Sequence, residues 1–248
     1  MNQTLQDNVV LITGGARRVG SAIVHALHGA GARIAIHYRS SVDEAAKLAA
    51  SLETVRPGSS LLLQADLLDV AQLPGLVQRT LTHFGRLDVL INNASSFYPT
   101  PVGEITLAQW DDLMGTNLKA PLFLAQAAAP ALRSSQGLVL NIADIHGLRP
   151  LKAHPVYSAA QAGLISLTHS LARELAPNVR VNAIAPGPVL FPEQGVSEER
   201  QNDIIARTLL GRRGSPEDIA QAALFFAAHA PYVTGQVLAV DGGRSVKA

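Results

Sequence analysis

Along this chain, short apolar runs of strand length alternate with longer stretches in which apolar residues recur every three or four positions. The runs predict strands near 9–13, 33–38, 60–64, 87–92, 137–142, 179–184 and 236–240. The helical periodicity between them predicts helices near 18–30, 42–54, 70–84, 107–133 (as two), 155–176 and 216–229. Local start signals sharpen several of these. Ser41 with Glu44, and Thr106 with Gln109, have the spacing of capping boxes, and Ser215-Pro216-Glu217-Asp218 sets a cap, an N1 proline and two acids at one helix start. Strand–helix alternation over the full length predicts an α/β fold. The expectation is a single domain over 1–248, a Rossmann-type, doubly wound parallel sheet of about seven strands with helices on both faces. One region breaks the pattern. Residues 186–200 are rich in Pro, Gly and Glu and are expected as an irregular substrate loop or a surface excursion.

Composition narrows the function classes. The 248 residues are 48% hydrophobic and 16% charged, which describes a packed globular protein. The net charge of +1 gives no electrostatic case for nucleic acid or an anionic membrane as partner. There are no cysteines, and the eight histidines show no ligand spacing, so neither a disulfide framework nor a metal site is expected. The opening residues lack the character of a signal peptide, and the most apolar stretches fall short of a membrane span, so a cytoplasmic location is the expectation.

In an open parallel sheet, ligands bind beyond the C-terminal ends of the strands. Each predicted strand end carries something. After the first comes Thr13-Gly14-Gly15-Ala16-Arg17-Arg18-Val19-Gly20, a glycine turn opening a helix, which is a cradle for phosphate. After the second comes His37-Tyr38-Arg39-Ser40. The acid that would bond the ribose 2′-hydroxyl of NAD is missing there, and Arg39, Ser40 and Arg17 suit a 2′-phosphate instead. Asp66 and Leu67 follow the third strand, where the carboxylate could bond an adenine amino group or cap the next helix. The fourth ends in Asn93-Ala94-Ser95-Ser96-Phe97-Tyr98-Pro99, where the Phe97 ring could stack on a flat heterocycle or plug the edge of the core. Asp144 follows the fifth and is a candidate partner, or a simple turn cap, for Tyr157 at the start of the next helix. Tyr157, Gln161, Leu164, Thr168, Leu171 and Leu175 form one helical stripe, expected as core or subunit interface. Pro186 and Gly187 follow the sixth strand and Asp241-Gly242-Gly243 the seventh, both as turn chemistry.

Taken together, Thr13-Gly14 to Gly20, Asn92-Asn93-Ala94, Asn117, Tyr157, Pro186-Gly187 and Asp241-Gly242-Gly243 resemble the short-chain dehydrogenase/reductase family in order and spacing. The likeness runs over essentially the whole chain. Arg18 in place of the middle glycine, Tyr38-Arg39-Ser40, the run Asn93 to Pro99, and Asp144 where serine is usual make it most similar to the pteridine reductases of that family. The resemblance implies NADP(H) held by Gly14, Arg17, Arg18, Val19, Gly20, Tyr38, Arg39, Ser40, Asp66, Leu67, Asn93, Ala94, Ser95, Gln161, Pro186 and Gly187. It implies a pterin or folate substrate at Arg18, Ser95, Phe97, Asp144 and Tyr157, with Phe97 stacking the pterin, and a homotetramer. Tyr157, Asp144, Gln161 and Asn117 would be the catalytic set. One position departs from the pattern: the family has Tyr-x-x-x-Lys, and here the fourth residue after Tyr157 is Gln161. Glutamine can still bond a ribose hydroxyl but supplies no cation to activate the tyrosine. The expected activity is therefore NADPH-dependent reduction of a pterin-like ring. Two alternatives stand beside it: a carbonyl reductase, and a protein that binds NADPH with little or no turnover.

Overall fold

Four consecutive apolar residues, Val9–Ile12, open the sheet as β1, and all four are buried. Val9 and Leu11 point into one core while Val10 and Ile12 point into the other, as the two-residue period of a strand requires. A strand buried on both sides needs helices on both faces, and the computed structural model, which describes residues 5–190 and 197–247, supplies them. In chain order, β1 is followed by α1 (Arg18–Gly29), β2 (Arg33–Tyr38), α2 (Val42–Val55) and β3 (Ser60–Gln64). Next come α3 (Leu73–Phe84), β4 (Val89–Asn92), α4 (Leu107–Met114) and α5 (Ala120–Ser135). The chain then runs through β5 (Leu138–Ile142), α6 (Pro155–Leu175), β6 (Arg180–Pro186), α7 (Glu198–Ala206), α8 (Pro216–Leu224) and β7 (Val237–Val240). All seven strands are parallel, in the order β3-β2-β1-β4-β5-β6-β7. One core packs Leu73, Leu76, Leu124, Leu132 and Leu175 of α3, α5 and α6 on the sheet; the other packs Ile23, Leu27, Leu48, Ile219 and Phe226. The strand order reverses between β1 and β4. A crevice at such a switch point is where this architecture takes a ligand.

The predicted single seven-stranded doubly wound sheet is what the structure contains. Three local expectations differ. Residues 107–135 are one continuous helical run, because the chain widens to a π turn at Gly115–Lys119 instead of breaking between α4 and α5. Ser41 makes no capping bond: its backbone, at φ −83° and ψ 64°, is not in the extended conformation of a cap, and Glu44 reaches Arg17 at 3.5 Å. The Thr106–Gln109 and Ser215–Asp218 boxes are both formed. Within 186–200, the residues from Glu198 onward begin α7, with Glu198 and Glu199 at its positively polarised end, while 191–196 of that expected loop lie outside the described residues. Among the described residues, no helix is long and apolar enough to cross a membrane, and no cluster of His, Asp and Glu could hold a metal.

Candidate active site

The glycine turn between β1 and α1 is held from three sides. The Thr13 hydroxyl oxygen accepts from the backbone N–H groups of Asn93 and Ala94, both at 3.0 Å. The Asn93 amide donates back to the carbonyls of Thr13 and Gly14 at 2.9 and 3.0 Å. A side chain at Gly20 would collide with the Gly14 carbonyl and the Asn93 amide, so the first turn of α1 can sit against the loop only without one. Gly14 has φ +60°, and a side chain there would meet Ala94 at 3.0 Å. Arg18 is more telling. It takes φ 55°, a left-handed backbone that costs a non-glycine residue roughly 1–2 kcal/mol. An arginine kept in a glycine's conformation is present for its side chain, whose Nη2 reaches the Leu190 carbonyl at 3.3 Å.

Beneath the loop lies a residue the sequence reading quoted without assigning a role. His37, at the end of β2, is buried; its Nδ1 accepts from the Gly14 N–H at 3.2 Å and its Nε2 donates to the Ala65 carbonyl at 3.2 Å. Both bonds together require the neutral ring with its proton on Nε2. Burial pushes the His37 pKa down to about 4, with Arg79 adding to the depression and the Ala65 carbonyl and Asp66 opposing it. The unfolded chain therefore takes up a proton near pH 6.5, while the native site takes one up only near pH 4. The unfolded state binds more protons in that window, so the His37 contribution to stability falls as the pH drops from 6.5 to 4, by on the order of 3 kcal/mol. Replacing His37 with Asn is expected to remove this slope. Urea unfolding of wild type and variant at pH 7.5, 5.5 and 4.5 measures it, and parallel curves would refute it.

Around this loop opens a cleft of about 380 Å³, lined by Gly14, Arg17 to Gly20, His37 to Ser41, Asp66, Leu67 and Asn93 to Ser96 among others. The structure brings the nucleotide-end candidates together here. Asp66 bonds the Leu68 N–H through Oδ1 at 3.0 Å, so that oxygen serves the local turn. Pro186 and Gly187 lie at the end of β6, where Gly187 packs against Asp241 and its N–H donates to Val240.

At the other end of the candidate set, Tyr157 is 4% exposed in the first turn of α6 and donates from its hydroxyl to Asp144 Oδ2 at 2.8 Å. The second carboxylate oxygen accepts the His146 N–H at 2.7 Å, so Asp144 is both partner and turn cap. Burial, then the Asp144 charge, hold the tyrosine well above 10, with hydrogen bonding from Ser95 and Gln161 acting the other way. Burial likewise raises the Asp144 carboxyl, against His146 and the tyrosine bond. Such a tyrosine keeps its proton through the neutral range and is a donor, not a base. Gln161 is 1% exposed one turn further on, and its Oε1 has no hydrogen-bond partner. An orphaned buried amide oxygen beside a tyrosine is costly and calls for a donor such as a ligand hydroxyl. The predicted stripe on α6 is core: Tyr157, Gln161, Leu164, Thr168 and Leu175 are buried and Leu171 partly so.

Asn117, placed by the π turn, is buried and does not bond the tyrosine. Its oxygen accepts from the Ser95 hydroxyl at 2.7 Å, and its Nδ2 donates to the Ser96 and Leu113 carbonyls at 3.0 and 2.9 Å. Asp112 completes the hold on this segment, accepting from Ser96 at 3.2 Å and from Tyr98 at 2.9 Å. Phe97 is thereby presented at 46% exposure, with Tyr157 edge-on at 4.8 Å and His154 stacked on one face at 4.8 Å and 12°. It lies exposed beside Tyr157 and does not plug the core. His154 and Asp112 carry no sequence motif; only their neighbours in space reveal them.

Comparison with known proteins finds similarity over nearly the whole chain. A family model for enoyl-(acyl carrier protein) reductase matches residues 14–245. Pteridine reductase 1 of Leishmania tarentolae is 35% identical, over 96% of this chain and 96% of that protein. A 3-oxoacyl-[acyl-carrier-protein] reductase of Chlamydia muridarum is also 35% identical, over 99% and 100%. Among solved structures, a blue fluorescent protein from a metagenomic library, in complex with NADPH, superposes with a TM-score of 0.92 at 34% identity, covering 97% of this chain and 99% of that one. A short-chain dehydrogenase/reductase from Serratia marcescens gives 0.92 at 33%, covering 98% and 99%.

Proposed function

The chain belongs to the short-chain dehydrogenase/reductase family, and we propose that within it the protein is an NADPH-dependent reductase of a pterin-like bicycle. The observation that carries this reading is the trio of Tyr157 bonded to Asp144 with the half-exposed Phe97 ring against its edge. Phe97 has one face covered by His154, which leaves the other for a flat heterocycle. The cleft fits a phosphorylated dinucleotide. Gly14 and Gly20 let the start of α1 pack closely on the loop, as a phosphate cradle at a helix N-terminus requires, and β2 ends in Tyr38-Arg39-Ser40 without an acid, while Glu44 nearby is paired with Arg17. NADPH, when bound, supplies the hydride. The chain's own residues then hold the ring and deliver the proton. Phe97 orients the bicycle, Ser95 is kept in place by Asn117, and Tyr157 passes its hydroxyl proton to the nitrogen of the C=N unit whose carbon takes the hydride, with Asp144 as its half-buried partner.

Arg39→Ala is expected to raise KM for NADPH about tenfold or more and to leave KM for NADH within about twofold, because only the former carries the 2′-phosphate. Steady-state kinetics with both cofactors checks this, and equal changes would refute it. Arg17 now pairs with Glu44, an exposed contact of less than about 1 kcal/mol that a phosphate can displace.

NADPH oxidation measured with 7,8-dihydropterin, dihydrofolate and a keto-ester tests the proposal. Turnover of a dihydropterin supports it; turnover of the keto-ester alone would sink it in favour of the carbonyl reductases that are equally similar in sequence. The second reading, tight NADPH binding with little turnover, is favoured by one observation, the neutral Gln161 in the lysine position. The family likeness also carries a homotetramer and a cytoplasmic location as expectations, the first measurable by light scattering.

A further inference from the structure

We propose that Arg149, Arg207 and Arg244 form an anion subsite at the substrate end of the crevice, and that it selects substrates whose flat ring carries a carboxylate-bearing tail. The inference rests on the reading of the ring site as one for a pterin. The three arginines come from three segments that the backbone ties together. The N–H groups of Leu209 and Leu210 donate to the Gly242 carbonyl at 2.8 and 3.0 Å, joining the chain after α7 to the turn after β7. The Lys247 ammonium donates to the Ala206 carbonyl at 2.7 Å, and Arg149 Nη1 donates to the Lys247 carbonyl at 3.3 Å. Arg207 follows Ala206 directly, and Arg244 follows Gly243, which packs on Leu209.

Among the described residues, none of the three arginines makes an ion pair with an acid. Asp241 is the carboxylate near Arg244, and its two oxygens are spent on its own turn, accepting the Gly243 N–H at 2.9 Å and the Ser245 N–H at 2.6 Å. Arg244 is half-buried, and burial together with Arg207 and Arg149 makes its charge harder to hold, against Asp241. Asp241 offsets only part of the repulsion among these like charges, and one anion held among them would relieve every pair at once. Position supplies the rest. Arg149 lies five residues beyond Asp144, and its carbonyl bonds the His146 ring at 3.2 Å, so it shares a loop with the proton-handling pair. All three lie beyond the ends of β5, β6 and β7, whereas Arg17 and Arg39 lie beyond β1 and β2 on the other side of the crevice. The subsite therefore lies on the same side of the crevice as Asp144, away from Arg17 and Arg39.

Dihydrofolate, with a carboxylate tail, and 6-methyl-7,8-dihydropterin, without one, separate the subsite from the ring site. At saturating NADPH, Arg244→Gln and Arg207→Gln are each expected to raise KM for dihydrofolate about tenfold, with its kcat and the KM for the dihydropterin within about twofold. Equal changes for both compounds, or none for either, would overturn the subsite. Calorimetric titration of the NADP+ complex with folate and with pterin gives the same comparison without turnover. If wild type reduces neither compound yet folate alone binds more weakly to the variants, the subsite stands and the reductase reading falls. If both compounds are reduced and no difference between them appears, the reductase reading stands and the subsite falls.

Discussion

Tyr157→Phe is expected to lower kcat for NADPH oxidation by about a thousandfold or more, within the range that a lost general acid costs. Cofactor affinity should stay within about twofold. The substitution removes one oxygen from a ring that is 4% exposed and already packed against Phe97, so the shape of the site is kept. What is lost is the hydroxyl that donates to Asp144 at 2.8 Å and stands next to the exposed face of Phe97. Asp144 keeps the His146 N–H alone, and since the tyrosine bond is one of the influences holding its carboxyl down, its pKa should climb further. The lost bond costs roughly 1–2 kcal/mol of stability, which a folded domain of this size tolerates. Single-turnover oxidation of bound NADPH measures the rate, and fluorescence titration measures the affinity. A kcat within tenfold of wild type would remove Tyr157 from the mechanism and leave proton delivery to Asp144 or solvent.

The sheet was legible in the sequence because strands buried on both faces read as nearly continuous apolar runs, as Val9–Ile12 does, and β5 does except for Asn141. The helix α7 was not. Its sequence, EERQNDIIA, carries no apolar stripe, so no periodicity marks it. The Ser41 box failed for another reason: spacing shows that a bond is possible, but Ser41 lacks the extended backbone of a cap and Glu44 reaches Arg17 instead. At the site, residues on strand ends were legible because an open parallel sheet gathers its strand ends along one edge. Tyr157 and Asp144, thirteen positions apart, therefore meet as expected. His37, Asp112 and His154 were hidden because each acts through a neighbour. His37 holds Gly14, Asp112 holds Ser96 and Tyr98, and His154 backs Phe97. Arg18 lies between these cases. Its place in a glycine loop was visible in the sequence, but the left-handed backbone that it endures shows only in three dimensions.

Gln161→Lys should move the pH dependence of the reaction more than any other single change. Among the described residues of the wild type no cation acts on the Tyr157 hydroxyl; burial and the Asp144 charge both push its proton affinity up, and the hydrogen bonds from Ser95 and Gln161 oppose them. The proton donor of a reduction must be protonated, so the wild-type rate should hold without an alkaline fall to about pH 9. A lysine ammonium roughly 4–5 Å from the hydroxyl interacts with a phenolate by about 3–4 kcal/mol at an effective dielectric of 20, an upper guide that corresponds to a pKa drop of roughly 1–2 after solvation losses. The alkaline limb should then move down by that amount. At pH 7 the stronger acid should transfer its proton about tenfold faster or more. Burial opposes the change, because Gln161 is 1% exposed and a lysine there must be paired; Asp144 and a ribose hydroxyl are the available partners. The variant should accordingly melt lower than wild type without NADPH and regain more on adding it. A pH profile identical to that of wild type would show that position 161 does not address the tyrosine. Turnover absent in wild type and present in Gln161→Lys would instead establish that the orphaned amide marks a cofactor-binding protein whose proton donor lacks its cation.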